Sequence, residues 1–386
     1  MSDSNRIRVS LVEEVTFGTT PTSPTMLVID TTGQSLRPRV QYQQSQTIRN
    51  DANVKDLIRT GFAAGGAIPT ELVFPVIDEA LWSLMQAALR SEEDAVATNA
   101  NQAGITGGGN QIDRATGSWI TDEFEVGDIA LISGASNAAD NRFVKITDVT
   151  ALTLECQLGD GDTWAATDTS VTVTRGARMK NGTEDRSFSV AVDRLDVNMF
   201  STWKGLVVNG MSLAIADQAI TSASFTLEGK NGAHSGSAIS GATYESPSVS
   251  PVLDSIGVPS FYLGGVSYAC RSFGVDCSNG VAARTQVGSE GPLSIRRGVF
   301  QATGRIEAYL QTFTEIQSYE GNTPTDLWFV LRDSNSRAIA VSYPNMKWSD
   351  ISVDTRGLNQ DDYMTGSFQA YLDPTEGCTM KLFRFA

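Results

Sequence analysis

Residues 187–192 read Ser187-Phe188-Ser189-Val190-Ala191-Val192, and residues 205–215 read Gly205-Leu206-Val207-Val208-Asn209-Gly210-Met211-Ser212-Leu213-Ala214-Ile215. In the first stretch, Phe188, Val190 and Val192 recur with a period of two, which lays one side of an extended chain on a core. In the second, Asn209-Gly210 separates two apolar runs as a hairpin turn does. The same grammar extends outward in both directions. Leu327 through Leu331 is an apolar run closed by the turn-prone Arg332-Asp333-Ser334-Asn335-Ser336. Short alternating segments bounded by Gly, Asn, Asp and Pro fill most of the chain, the mark of a mainly β, antiparallel protein. One segment breaks the period. Ile77, Leu81, Leu84, Met85 and Ala88 fall at helical spacing, with Pro75 ahead and Asp78 and Glu79 at the start. This spacing predicts one α-helix over about 77–90, its apolar stripe packed on a sheet.

A chain of 386 residues exceeds the roughly 250 at which a single core stops growing, so two domains are expected. Residues 94–177 stand apart. They hold twelve acidic residues against four basic ones, a net of −8 out of −15 for the whole chain. They open with the loop-like Asn99–Gln111, in which Gly107-Gly108-Gly109 reads as a hinge, and continue with four short strand-like runs. The expectation is a small acidic β-domain, 94–177, inserted on the outer surface of a discontinuous larger domain, 1–93 and 178–386. There is also an internal echo. Thr303-Gly304-Arg305-Ile306-Glu307-Ala308-Tyr309-Leu310 and Thr365-Gly366-Ser367-Phe368-Gln369-Ala370-Tyr371-Leu372 share Thr, Gly, Ala, Tyr and Leu in phase. Two strands of similar role are implied.

The composition argues against several functions. A net charge of −15 is the wrong sign for a surface built to neutralise phosphates. No run approaches the roughly 18 apolar residues of a membrane span, and the N-terminus lacks the apolar core of a signal peptide, so no membrane role and synthesis in a cytoplasm are expected. Cys156, Cys270, Cys277 and Cys378 lack paired spacing, and Asp160-Gly161-Asp162 lacks the rest of a calcium loop, so no metal or other cofactor is expected. The single His234 sits in a polar run with Ser235 and Ser237 but no nucleophile elbow, and the glycine triplet has no Lys-Ser or Lys-Thr behind it. No catalytic template fits, and the chain reads as no enzyme.

The order of segments in the C-terminal third, Ile295–Leu310 followed by Tyr343–Pro374, resembles that of the tail tube proteins of phages with long, non-contractile tails of the siphovirus type. The N-terminal order agrees: Ser10–Met26, then Ser35–Phe74, then the helix. The resemblance implies a β-sandwich or barrel that self-assembles into rings, usually hexamers, which stack around an electronegative channel for genome ejection. It implies a place in the virion tail, production in the host bacterium, and partners in a tape-measure protein, a tail terminator and tail-tip proteins, with DNA passing without specific binding. On this reading Gln41–Gly61 is a long loop to the next ring and Arg8–Pro24 an N-terminal arm making a second contact, both too poor in apolar residues for core strands. The candidate ring–ring contacts are Arg8, Glu13, Glu14, Gln43, Arg49, Asp51, Lys55 and Arg59. The candidate shared-sheet strands carry Arg305, Glu307, Tyr309, Ser367, Gln369 and Tyr371. The rival is a carbohydrate- or receptor-binding β-module with Trp119, Trp164 or Trp203 as stacking platforms; a polysaccharide-cleaving enzyme with two carboxylates is a third.

Overall fold

The computed structural model describes residues 3–73, 79–245, 252–253, 260–333, 337–354, 357–358 and 360–385. The strands in chain order begin with β1 (Ile7–Glu13), β2 (Thr25–Ile29), β3 (Arg37–Gln44) and β4 (Leu57–Glu71). Helix α1 (Glu79–Leu89) follows, then β5 (Ala97–Ile105), β6 (Gln111–Arg114), β7 (Ile129–Ser133), β8 (Phe143–Val149), β9 (Thr153–Gln157) and β10 (Asp168–Arg175). Next come β11 (Ala177–Lys180), β12 (Phe188–Arg194), β13 (Met199–Ala216), β14 (Ser222–Gly229), β15 (Asn231–Ser235), β16 (Thr243–Tyr244), β17 (Ser260–Leu263), β18 (Val266–Ser267) and β19 (Cys270–Ser278). The chain ends with β20 (Ala282–Arg284), β21 (Ser294–Arg296), β22 (Gln301–Tyr309), α2 (Thr314–Glu320), β23 (Thr325–Arg332), β24 (Ala338–Asp354), β25 (Tyr363–Ala370) and β26 (Lys381–Phe385).

The protein is mainly β. Strands β5 to β10 close a separate six-stranded barrel, and among the described residues all others except the small β20–β21 pair join one folded sheet. One core fills the fold of that sheet, and α1 lies in it with Leu81, Trp82, Leu84 and Met85 buried. The helical period therefore reads correctly from Glu79 onward, while Pro75, Ile77 and Asp78 lie outside the described residues. A second helix, α2, has no apolar stripe to announce it, and only Glu315 of it is buried.

Two long strands carry the sheet around the core. Strand β13 pairs with β12 and β15 through its first half and with β14 and β19 through its second. Its register slips once at Gly205, where φ is +65°, and again at Asn209-Gly210. Asn209-Gly210 is thus a bulge inside one continuous strand, not a hairpin turn; both features use the same residues because both need an extra, sharply turned backbone unit. Strand β24 likewise runs through Pro344, where the sequence suggests a strand end. Tyr343 faces Leu327 and Met346 faces Thr325, so the proline occupies a bulge that spares its missing N–H.

The barrel has its own interior, filled by Trp119, Trp164, Ile112, Ile132, Ile146 and Val173. Gly107-Gly108-Gly109 forms the β5–β6 turn within it and is not a hinge leading to it. A third apolar cluster joins barrel to sheet: Ile129 and Phe143 meet Trp328, Val330, Ala338, Ala340, Phe383 and Phe385. Beneath that contact is a buried ionic network. Asp128 accepts two hydrogen bonds from Arg178 at 3.1 Å and one from the Glu125 amide at 2.9 Å. Lys381, fully buried, lies 2.9 Å from Glu376 and donates to the Val126 carbonyl. Burial pushes the Asp128 carboxyl above its ordinary range against the pull of Lys381 and Arg178. Glu125 goes the other way: burial would raise it, but its bond to Lys180 and the charge of Arg178 hold it below.

Candidate assembly interface

Sheet strands β4, β14, β13, β19, β22, β25 and β24 lie side by side in that order. Alternate residues face the core, among them Phe225, Met211, Val275, Ile306 and Phe368. The intervening residues face solvent and fall into rows. One row runs Ser224, Ser212, Asp276, Thr303, Gln369 and Lys347; the next runs Ser222, Ala214, Gly274, Arg305, Ser367 and Asp350. This face is paved with hydroxyls and small residues. Its charged groups, among the side chains described, are the acids Glu71, Glu228, Asp276, Glu307 and Asp350 and the bases Arg271, Arg305 and Lys347, a net of −2. The acidity of the chain therefore lies elsewhere, much of it in 94–177.

The two echoing octapeptides are direct neighbours in this sheet, β22 against β25, with Gly304 opposite Phe368. Arg305, Glu307, Tyr309, Ser367 and Gln369 all stand on its solvent face, while Tyr371 is one residue past β25, its amide bonded to the Asn345 carbonyl. At one margin β3 pairs only with β4, and at the other the second half of β24 pairs only with β25 among the described residues. Both margins present unpaired strand edges.

The ring-contact candidates divide. Gln41–Gly61 is not one long loop: β3 and β4 form a hairpin that continues past the end of β14, with only 45–56 as loop. Alternating strand residues are too polar here to be recognised, because both faces of the hairpin are solvated. Gln43, Arg49, Asp51, Lys55 and Arg59 all lie exposed on it. Arg49 grips Asp51 at 2.7 Å, which holds the Asp51 carboxyl down at about 2, and Arg59 pairs with Glu290 of the neighbouring loop. The tip also exposes Ile48, Val54, Leu57 and Ile58.

The N-terminal candidates are placed differently. Residues 7–13 are strand β1, inside the large sheet between β2 and β12, with Val9 and Leu11 in the core. Three apolar residues on one face suffice for a short central strand, which the expectation of a free arm overlooked. Arg8 is tied to Asp193 at 2.7 Å and stacks 3.3 Å from the Tyr244 ring centroid; Glu13 pairs with Arg186. Glu14 is buried and accepts from the Ser187 and Ser189 hydroxyls and from the amides of Gly18 and Gly205. It anchors the chain to itself and has no oxygen to spare for a neighbour.

Trp119, Trp164 and Trp203 are all buried, so none is a stacking platform. His234 is on strand β15, not in a loop; its ring meets Ser201 at 2.9 Å and the edge of Trp203. Ser235 and Ser237 bond to one another instead. Asp160 accepts from the Ser267 amide and Asp162 pairs with Arg142. The four cysteines are free thiols. The sequence pattern that describes the phage tail tube protein family matches residues 4–371. No curated protein matches the chain.

Proposed function

Because the chain belongs to the phage tail tube protein family, a structural component of the virion tail, we propose that copies of it close into rings, hexameric on the family pattern, and that the rings stack into the hollow tube of a long, non-contractile tail. It acts without catalysis. The observation that carries this reading is the seven-strand sheet that is packed on one face, solvated on the other and open at both margins. Joined edge to edge, β3 of one copy to β24 of the next, such sheets form one continuous barrel whose solvated face is the channel wall.

The wall so formed is rich in hydroxyls and carries a small excess of acids, in the direction the resemblance implies. With acids and bases interleaved, it offers a passing polyanion neither a phosphate clamp nor a strong barrier. DNA would move through it without specific binding during genome ejection. The 94–177 barrel sits on the outside, and the β3–β4 hairpin, with Gln43, Arg49, Asp51, Lys55 and Arg59, reaches the adjoining ring. Tape-measure, terminator and tip proteins complete the tail.

Negative-stain electron microscopy of the purified full-length protein, over a range of concentration and salt, tests this directly. Rings or tubes with a central channel are expected. A protein that stays monomeric throughout, including after addition of a preformed tail tip, counts against it.

A further inference from the structure

The exposed apolar side chains of the large sheet gather at its two ends. Pairing places Ala64, Gly229, Ser278, Gln301 and Ala370 at one end and Glu71, Ser222, Ala216, Cys270 and Tyr363 at the other. From the first end the β3–β4 hairpin projects seven residues of β4 beyond Gly229, about 20 Å of strand. It carries Ile48 fully exposed at its tip with Val54, Leu57 and Ile58 behind. The opposite end exposes Ile220, Tyr309 and Phe313. Both are arrangements that a solitary soluble subunit leaves uncovered at a cost.

The second end is also hollow. A cavity of about 260 Å³ opens there, with Ile215, Phe261, Tyr268, Cys270, Phe273 and Phe329 in its walls. Asp217, Arg271 and Ser272 share its lining. The Tyr268 hydroxyl lies 2.9 Å from that of Thr312, and the next residue, Phe313, is exposed. Tyr309 and Tyr363 pair at 5.0 Å, and Arg271 lies 5.0 Å over Tyr363. Aromatic residues and arginine around a pocket are the composition of an interface centre.

Charge matches as well. Residues 37–60 hold five basic and two acidic residues, and with Arg39 paired to Glu228 and Arg59 to Glu290 outside the hairpin a net of +1 is left. Asp217 at the cavity, together with exposed Asp361 and Asp362 next to Tyr363, makes the receiving end acidic. A weakly basic, apolar-tipped arm and an acidic hollow with aromatic and polar walls thus sit at opposite ends of the same strands.

We propose that this hollow is the socket for the hairpin arm of a second copy, with Ile48 seated between Tyr268 and Phe273 and within cross-linking reach of Phe313. Copies then follow one another head to tail along the strand direction. Such a contact is heterologous and does not close on itself, so it builds a stack of unlimited length. The proposal rests on the tube reading and names the partner surface that reading requires.

The test uses two full-length variants, Ile48→Cys and Phe313→Cys, both at exposed positions. Both are made in a Cys270→Ser background, because Cys270 lines the socket and could itself cross-link to Ile48→Cys; Cys156, Cys277 and Cys378 are buried. The variants are mixed under assembling conditions and treated with a short bis-maleimide. A cross-linked dimer is expected in the mixture, at least tenfold above either variant alone. Rings or tubes without that dimer would overturn the socket and leave the tube reading standing. Neither assemblies nor dimer, across the whole concentration range, would overturn both.

Discussion

Glycines 304 and 366 face the core, although both belong to strands where a side chain would be expected. A Cβ on Gly304 would lie 2.4 Å from the Phe368 ring, and one on Gly366 would lie 2.5 Å from the Trp348 ring. Each glycine leaves a slot into which the aromatic ring of a neighbouring strand lies flat, which restores the packing that a strand glycine forfeits. The echo Thr-Gly-x-x-x-Ala-Tyr-Leu is therefore a packing device repeated in adjacent strands. Gly366→Ala should overpack the site and cost about 2 kcal/mol, read as a lower urea midpoint with an unchanged m-value. Beside that ring, the Trp348 indole N–H donates to Glu315 at 2.9 Å, and Glu315 is almost wholly buried. Burial raises its carboxyl above the usual 4.5, with the Trp348 bond pulling down and Asp326 pushing up. A raised folded-state value means that the native protein binds the proton more tightly than the unfolded chain. Stability from this group is thus full below about 4.5 and is lost as pH rises through the folded value. Glu315→Gln keeps an acceptor for Trp348 without the buried charge. It should match wild type in denaturant melts at pH 4 and exceed it at pH 7; an equal or lower midpoint at pH 7 would refute the assignment.

At the scale of elements, strand β23 explains why Leu327 through Leu331 shows no alternation. Leu327, Phe329 and Leu331 point into the main core, while Trp328 and Val330 point into the contact with the barrel. A strand covered on both sides reads as a continuous apolar run. Trp328 is the centre of that contact: its ring stacks on Tyr262 at 4.3 Å and its N–H donates to Gln157 of the barrel at 3.1 Å. Trp328→Ala should cost about 4 kcal/mol. Its signature should be early proteolysis at the connections near 95 and 176, with the barrel fragment itself resistant. Simultaneous loss of both parts would show instead that they do not unfold separately. What could be read from sequence at this scale was the element type, not its course. The α1 stripe and the period of β12 are local and survive in the fold. Asn209-Gly210 and Pro344 are ambiguous locally, since a bulge and a turn use the same residues, and only the partners β14, β19 and β23 decide between them. The pairs Asp128 with Arg178 and Lys381 with Glu376 had no sequence signal to find them by, because their partners are distant or unremarkable in spacing.

For the whole molecule, the alternation of apolar residues gave the mainly β class and segment order gave the family, while the net charge did not say which surface carries it. A total of −15 says nothing about where the charge resides, and the solvated sheet face carries a net of −2. The face became identifiable only once the register showed which residues alternate with the core. If that face is the channel wall, access to it in a tube must differ from access to the barrel. Thr303 and Ser367 point outward from the neighbouring strands β22 and β25, one row apart, and Leu152 is exposed on the barrel. In Thr303→Cys and Ser367→Cys tubes, a small maleimide should label to completion, entering through the tube ends and lumen. A maleimide on a polymer wider than the lumen should label them at least tenfold more slowly than in dissociated subunits. Leu152→Cys should take both reagents equally in either state. Fast labelling of Ser367→Cys by the large reagent in intact tubes would place the hydroxyl-rich face on the outside, and the β3 and β24 edges would then have to join in the opposite curvature.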